Sequence, residues 1–497
     1  MEGINRRDFL KYGLGGAAVL VVGSGLPWIT ENKAHAGIRV QTLNFTITDA
    51  LKDMATHNTI NNAQCYFWVF KEANLPAECP GPHIFATEGD TIELVVTNAL
   101  DEPHAFFIPG MVNTGPIAPG ATVRKFFTAG NGGTYLYFDN LNQPVNRVMG
   151  LHGAFIVMPK APAQGHKFTP YSEPTPLVQK LFDDFGTPGR APWPSLGSRW
   201  FPGLAWEEGD PATNTYPFRT YIWVLHQASP NLFALVGDFT PGQDYPAAQF
   251  VQRFLHDPFD SAKPTTNAIP QYFTISGQSG HFSHNSPYFC PNQRVGEPVI
   301  IRLLNAGLWS HSMHIHANHQ YITSVNGVVM ENPIWVDVFT FLPMTVVDYT
   351  CPYMRPPSIP NVRGIGRADL GLPAGVSGGR TWPPNEELTT FIPGPAPLGV
   401  TPFQVVGNLV DGAGNPLGAQ LSPLCYPMHD HSEPSQTAQG GNYNMGLISG
   451  INFIGDRNTP GAMNFPNQPL FHGPGPGSPF GVNGVFPAAV PPPWFSK

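Results

Sequence analysis

Two short histidine runs stand out in the second half of the chain. His311-Ser312-Met313-His314-Ile315-His316 carries three imidazoles, and His429-Asp430-His431 carries two. On a β-strand, residues i and i+2 project to the same side. His314 and His316 would therefore share a face, and so would His429 and His431. Imidazole suits copper and zinc alike, and convergent His-x-His pairs from two strands can hold such an ion. Four imidazoles packed together without one would each need a hydrogen-bond partner and would repel when protonated. The alternative reading makes them hydrogen-bonded core or loop histidines. His319 sits one step off the pattern, and Glu433 lies near the pairs in a Glu-Pro turn. His281 and His284 flank a Ser/Gly-rich turn and read as exposed loop residues.

A strand scaffold must position these side chains, and the chain writes one twice, as a divergent internal repeat. Gly89 and Asn98 are nine residues apart, as are Gly296 and Asn305, with alternating apolar residues between. A histidine follows six residues after each Asn, at His104 and His311. The segment 135–139 matches 426–430, and Met-Gly-Leu follows each, at Met149-Gly150-Leu151 and Met445-Gly446-Leu447. The segments 66–70 (Tyr-Phe-Trp-Val-Phe) and 221–225 (Tyr-Ile-Trp-Val-Leu) both read as opening strands. Two Greek-key β-barrels explain this pattern. One is expected at 38–160 and the second at 215–456, with a Pro- and Trp-rich linker at 161–214. A Pro-rich loop at 355–400 is inserted in the second, and 457–497 reads as an extended tail. A third barrel within 161–290 would lack its own Gly-to-Asn anchor.

The bulk composition agrees. Of 497 residues only 12% are charged, while 53 Gly and 56 Pro favour short strands and turn-rich loops over helices. The net charge of −8, with no basic block, argues against a nucleic-acid partner. No phosphate loop, dinucleotide fingerprint or Gly-x-Ser-x-Gly elbow occurs. Near the N-terminus Arg6-Arg7 precedes a modest apolar run and then Ala34-His35-Ala36. This reads as a twin-arginine signal peptide over 1–36, cleaved after Ala36, which directs the folded protein to the periplasm or outside the cell. Five cysteines, an odd count, leave at least one unpaired or bonded to another chain, and no C-x-x-C spacing exists.

The first histidine run resembles the His-Pro-x-His-x-His segment of multicopper oxidases. The second, followed by Met445-Gly446, resembles their His-Cys-His…Met segment. The resemblance implies an all-β protein of two cupredoxin-like barrels and a copper-dependent oxidoreductase. It implies copper, one or two ions, on His314, His316, His429 and His431. In such enzymes the positions of His311 and Met445 bind the blue type 1 copper together with the cysteine of His-Cys-His. Here Asp430 takes the cysteine position and cannot supply the thiolate that a blue centre needs. No blue chromophore is therefore expected, and His311 and Met445 are weaker candidates, resembling ligands without their partner. Through the repeat, Phe107, Pro109, Phe138 and Asn140 replace His314, His316, His429 and His431 in the first barrel. That barrel reads as a copper-free packing partner, with His104 and His152 as loop histidines satisfied by hydrogen bonds. The donor of electrons would be a small reductant or a redox partner. A homo-oligomer is open by family analogy, since related two-domain proteins form trimers. The rival reading is a non-catalytic cupredoxin-fold protein that binds metal or builds an extracellular assembly.

Overall fold

A computed structural model describes residues 40–54, 63–160, 165–166, 168–185, 220–255, 272–279, 283, 292–294, 299–316, 319–350, 424–432, 435, 446–455 and 485–486. The expected signal peptide, most of the linker, the inserted loop and nearly all of the tail lie outside these residues, as does Met445.

The chain is all-β. In its first part run β1 (Val40–Met54), β2 (Ala63–Glu72), β3 (His83–Thr87), β4 (Thr91–Asn98), β5 (Phe107–Ile108), β6 (Val112–Asn113), β7 (Thr122–Thr128), β8 (Gly133–Phe138), the short helix α1 (Val145–Val148) and β9 (His152–Met158). Helix α2 (Pro176–Phe185) leads to β10 (Thr220–Ala228), α3 (Pro230–Gly237), α4 (Ala247–Phe254), β11 (Tyr272–Ile275), β12 (Asn292–Arg294) and β13 (Ile300–Asn305). Then come β14 (His311–Ile315), β15 (Gln320–Val325), β16 (Val328–Val336), β17 (Val338–Phe341), β18 (Val346–Thr350), β19 (Leu424–Asp430), β20 (Ile448–Gly455) and β21 (Val485–Phe486).

Four sheets result. β2-β1-β4-β7 faces β21-β3-β9-β8-β5-β6 in the first half, and β11-β10-β13-β18-β15-β16 accompanies β12-β20-β19-β14-β17 in the second. The strands of 220–279 join the second-half sheet, so among the described residues they do not form a third barrel. β4 alternates cleanly between half-exposed and buried positions, the period-2 pattern of a strand with one face on the core. None of the described helices is long and apolar enough to cross a membrane.

The repeat holds in register, with one correction. β10 runs parallel to β13 with Leu225 opposite Asn305, and β1 runs parallel to β4 with Ile47 opposite Asn98. The counterpart of 221–225 is therefore 43–47 in β1. The segment 66–70 lies in β2, whose place in the second half belongs to β11. Similar Tyr-x-Trp-Val lettering misled the alignment, because apolar strand residues are interchangeable and pairing is not.

The two halves share buried packing. Phe85, Leu136, Phe138 and Ile156 of the first form one cluster with Ile222, Val224, Ile300 and Tyr321 of the second. Val178, Leu181 and Phe182 of α2 complete it. Beneath it lies a polar knot. Arg302 Nη1 donates to Thr134 Oγ1 at 2.9 Å and pairs with Asp348 Oδ2 at 3.4 Å. Thr134 Oγ1 donates to Asp348 Oδ1 at 2.6 Å, and Ser324 Oγ donates to Asp348 Oδ2 at 3.0 Å.

One buried imidazole at the start of β3 carries a pH signature. The Nδ1 of His83 has no hydrogen-bond partner among the described residues, and burial pushes the ring down to about 3. The unfolded chain, titrating near ~6.5, takes up the proton first. Stability from keeping His83 neutral is thus whole above about pH 6.5 and falls as pH drops toward 3, by about 1.4 kcal/mol per pH unit. A His83→Gln variant is expected to show a shallower acid limb when urea unfolding is followed from pH 7 to about 4.5. Parallel curves for the two proteins would refute this.

Candidate metal centre

His311, and His104 in the matching place of the first half, each follow a turn built by an asparagine. Asn305 Oδ1 accepts the Gly307 amide at 3.1 Å and its Nδ2 donates to the Trp309 carbonyl at 2.7 Å. In the first half Asn98 Oδ1 accepts the Leu100 amide at 3.0 Å and its Nδ2 donates to the Glu102 carbonyl at 2.7 Å. This Asx turn delivers a histidine to the same place in both halves.

There each histidine meets an aspartate. His311 Nδ1 lies 2.5 Å from Asp430 Oδ2, and His104 Nδ1 lies 2.7 Å from Asp139 Oδ2, all four side chains fully buried. Asp430 Oδ1 also accepts the Ser312 amide at 2.6 Å and the Ser432 amide at 3.1 Å, and Oδ2 accepts Ser435 Oγ. Burial alone would raise the Asp430 carboxyl. The hydrogen bond and charge of His311, with the Ser435 hydroxyl and the Ser312 amide, outweigh it and hold the group below the ordinary carboxylate range. On its other side His311 Nε2 accepts from Gln227 Nε2 at 2.7 Å, and Gln227 Oε1 takes the Leu308 amide at 2.8 Å. Both nitrogens of His311 are occupied. The sequence reading saw in Asp430 only a missing thiolate. Its positive role, orienting His311, could have been found from Asp139, which stands in the matching place.

The other strand face gathers the remaining imidazoles. β14 alternates buried His311, Met313 and Ile315 with half-buried Ser312 and His314, and His316 follows exposed. β19 pairs antiparallel with β14, setting His429 opposite His314. Ring centroids lie 5.4 Å apart for His314–His429, 4.9 Å for His314–His316, 4.9 Å for His316–His429 and 5.0 Å for His314–His431. One ring nitrogen from each of His314, His316 and His429 lies within 4.8 Å of the others. His431 stands beside this trio through His314 and is exposed.

The protonation pattern favours metal binding. His429 Nδ1 donates to the Asp430 carbonyl at 2.9 Å, which leaves its Nε2 lone pair facing His316 Nε2 at 2.8 Å. Only one proton fits between those two nitrogens, and a cation can take its place. His314 Nδ1 is buried without a partner among the described residues, while its Nε2 lies 3.6 Å from Asp337 Oδ2. Burial, and then the neighbouring His316 ring, lower the His314 pKa, with Asp337 opposing. Burial, then His429 and His431, lower that of His316. Neutral imidazoles are the ligating form. Three or four on an accessible strand face fit copper and, by donor type alone, zinc. Asp337 carried no spacing signal in the sequence; the β16–β17 connection brings it in. His319 instead stacks on Trp335, with ring centroids 4.1 Å apart.

The first half repeats this geometry without the chemistry. Phe107 pairs with Phe138 as His314 pairs with His429, and the two phenyl rings lie 5.3 Å apart. His104 is satisfied on one side only: Nδ1 pairs with Asp139, while the buried Nε2 has no hydrogen-bond partner among the described residues. His152 stands on strand β9, not in a loop.

Residues 73–162 match the family model of the multicopper oxidases. No curated protein sequence matches the chain. Among solved structures, the chain is similar to a blue copper oxidase from Nitrosomonas europaea, at 16% identity over 84% of this chain and 86% of that one, with a TM-score of 0.46. It is also similar to the multicopper oxidase mgLAC, at 16% identity over 87% and 93% with a TM-score of 0.46. A copper nitrite reductase from Nitrosomonas europaea matches at 15% identity over 84% and 94%, with a TM-score of 0.41. The family match falls on the half that lacks the paired histidines, so the metal centre rests on this chain's own residues.

Proposed function

We propose that the chain is an exported copper protein of the multicopper oxidase type. In this reading His314, His316, His429 and His431 hold one or two copper ions, and a small reductant or redox partner reacts directly at that centre. The observation that supports it is the convergence of these imidazoles, in β14 and β19 or directly after them, on one accessible strand face, with His316 and His429 nitrogens facing each other at 2.8 Å. Copper bound there would supply one-electron redox chemistry. The chain's own part is to lower the pKa of His314 and His316 by burial, fix His429 through the Asp430 carbonyl, and place the carboxylate of Asp337 beside His314. No thiolate stands at the Asp430 position, so copper on the four imidazoles is expected to lack an intense visible charge-transfer band.

A second reading, a non-catalytic metal-binding or assembly protein, draws on the paired His–Asp units. The same carboxylate fills the same place in both halves, as a structural fixture would. Copper and zinc analysis of protein isolated from its own compartment, with N-terminal sequencing, separates the readings. Copper and a mature chain beginning after Ala36 are expected, with Arg6→Lys, Arg7→Lys blocking export. A metal-free native protein would leave only the assembly role.

A further inference from the structure

A second group of metal-ligating side chains lies deep between the two halves, away from the His314–His431 centre. Cys79 precedes β3, His152 opens β9 and His226 lies in β10. One ligand atom from each lies within 4.8 Å of the other two, and all three residues are buried. None of them belongs to the histidine runs or to the positions that resemble copper ligands.

The two imidazoles are held as ligands usually are. His152 Nδ1 donates to the Arg147 carbonyl at 2.8 Å, and His226 Nε2 donates to the Val148 carbonyl at 2.7 Å. A carbonyl can only accept, so each neutral ring keeps its proton on that nitrogen. The unprotonated nitrogens are His152 Nε2 and His226 Nδ1. Backbone carbonyls that fix the tautomer in this way are a recurrent outer shell of metal-bound histidines. His152 Nε2 is fully buried and has no hydrogen-bond partner among the described residues. Cys79 is a free thiol and does not satisfy it. An imidazole lone pair buried without a donor is destabilising, and a bound cation removes that cost.

We propose that Cys79, His152 and His226 form a buried three-coordinate site for monovalent copper. Charge selects the ion. The walls include the rings of Phe67 and Phe233, whose centroids lie 6.0 and 6.3 Å from that of His226. Lys52 Nζ donates to the Cys79 carbonyl at 2.9 Å, so a cation already stands beside the cluster. Cu(I) with one thiolate and two neutral imidazoles is net neutral, whereas a divalent ion would leave a buried positive charge. Soft thiolate ligands favour Cu(I) as well. Binding exchanges the thiol proton for the metal, the proton leaves to solvent, and no electron moves. Bonds of ~2.0 Å to nitrogen and ~2.3 Å to sulfur put trigonal ligand atoms roughly 3.5–3.8 Å apart. The three side chains need to close by about 1 Å at most. Gly150, at φ +123°, keeps the space open, since a Cβ there would lie 3.2 Å from Cys79 Sγ.

Full-length protein made in copper-supplemented cells supplies the test, with anaerobic titration against a chromophoric Cu(I) chelator. A His429→Ala, His431→Ala protein is expected to keep one tightly held Cu(I), and adding Cys79→Ser to remove it. Copper K-edge absorption of the double variant, which leaves Cys79 intact and needs no folded serine variant, is expected to show a sulfur neighbour at ~2.2–2.3 Å. The proposal is overturned if only nitrogen and oxygen neighbours appear, if no Cu(I) is retained, or if mass spectrometry finds Cys79 in a disulfide. Because the double variant lacks two of the four ligands of the His314–His431 centre, and the sulfur neighbour reports only on Cys79, failure of that centre leaves these outcomes unchanged.

Discussion

Replacing Asp348 with alanine is expected to destabilise the protein by about 3–5 kcal/mol. Asp348 accepts from Thr134 and Ser324 and balances Arg302, and all of these side chains are buried. Without it, a guanidinium stays in the interior with no counter-charge from Asp348, and two hydroxyls lose their acceptor. The penalty comes from stranding a charge rather than from losing attraction. An Arg302→Met, Asp348→Leu double variant is therefore expected to recover most of the loss. Urea midpoints for the two proteins check this. Equal destabilisation by both would show that the knot contributes through its attraction after all. Thr134 belongs to the first half and Asp348 to the second, so the single variant is also expected to loosen their junction, read as faster limited proteolysis.

Removing the His429 imidazole of β19 and the His431 imidazole that follows it is expected to empty the centre on this strand face. A His429→Ala, His431→Ala protein should lose the copper held there and fold normally, because His429 is half-buried, His431 is exposed, and the neighbouring core is made by Met313, Ile315 and Met428. Metal analysis beside a His319→Ala control reads the effect, since His319 stacks on Trp335 instead. Unchanged copper in the double variant, after allowance for any Cys79-dependent ion, would place the metal elsewhere. Acidification should act the same way, with a delay. The lowered pKa values of His314 and His316, caused first by burial, mean that protons displace the metal only below the ordinary imidazole range. Release at or above pH 6.5 would contradict that order.

Periodicity and spacing carried much of this arrangement. The interval from Asn to the following histidine marks residues with a geometric duty in both halves, and the pairing registers follow it. The pairing of β1 with β4 did not show, because β1 has only apolar alternation in common with its counterpart β10. The His–Asp units were visible as letters but not as contacts, since a carboxylate at a ligand position reads first as a loss. Asp337 and the Cys79–His152–His226 group lie far apart along the chain and share no motif. Only the folded topology brings such residues together, and no local pattern announces it.

The β21 strand bears on how this chain is made. Val485 and Phe486 pair with Ile84 and His83, at the rim of the sheet that begins with β3. Until that stretch leaves the ribosome, β3 presents a row of unsatisfied amides and carbonyls, an open edge on which another molecule's strand can add. The first half can collapse early but cannot seal itself until β21, about 400 residues further along the chain, has been made. Its completion is therefore a late, long-range step, with the slow kinetics of high contact order.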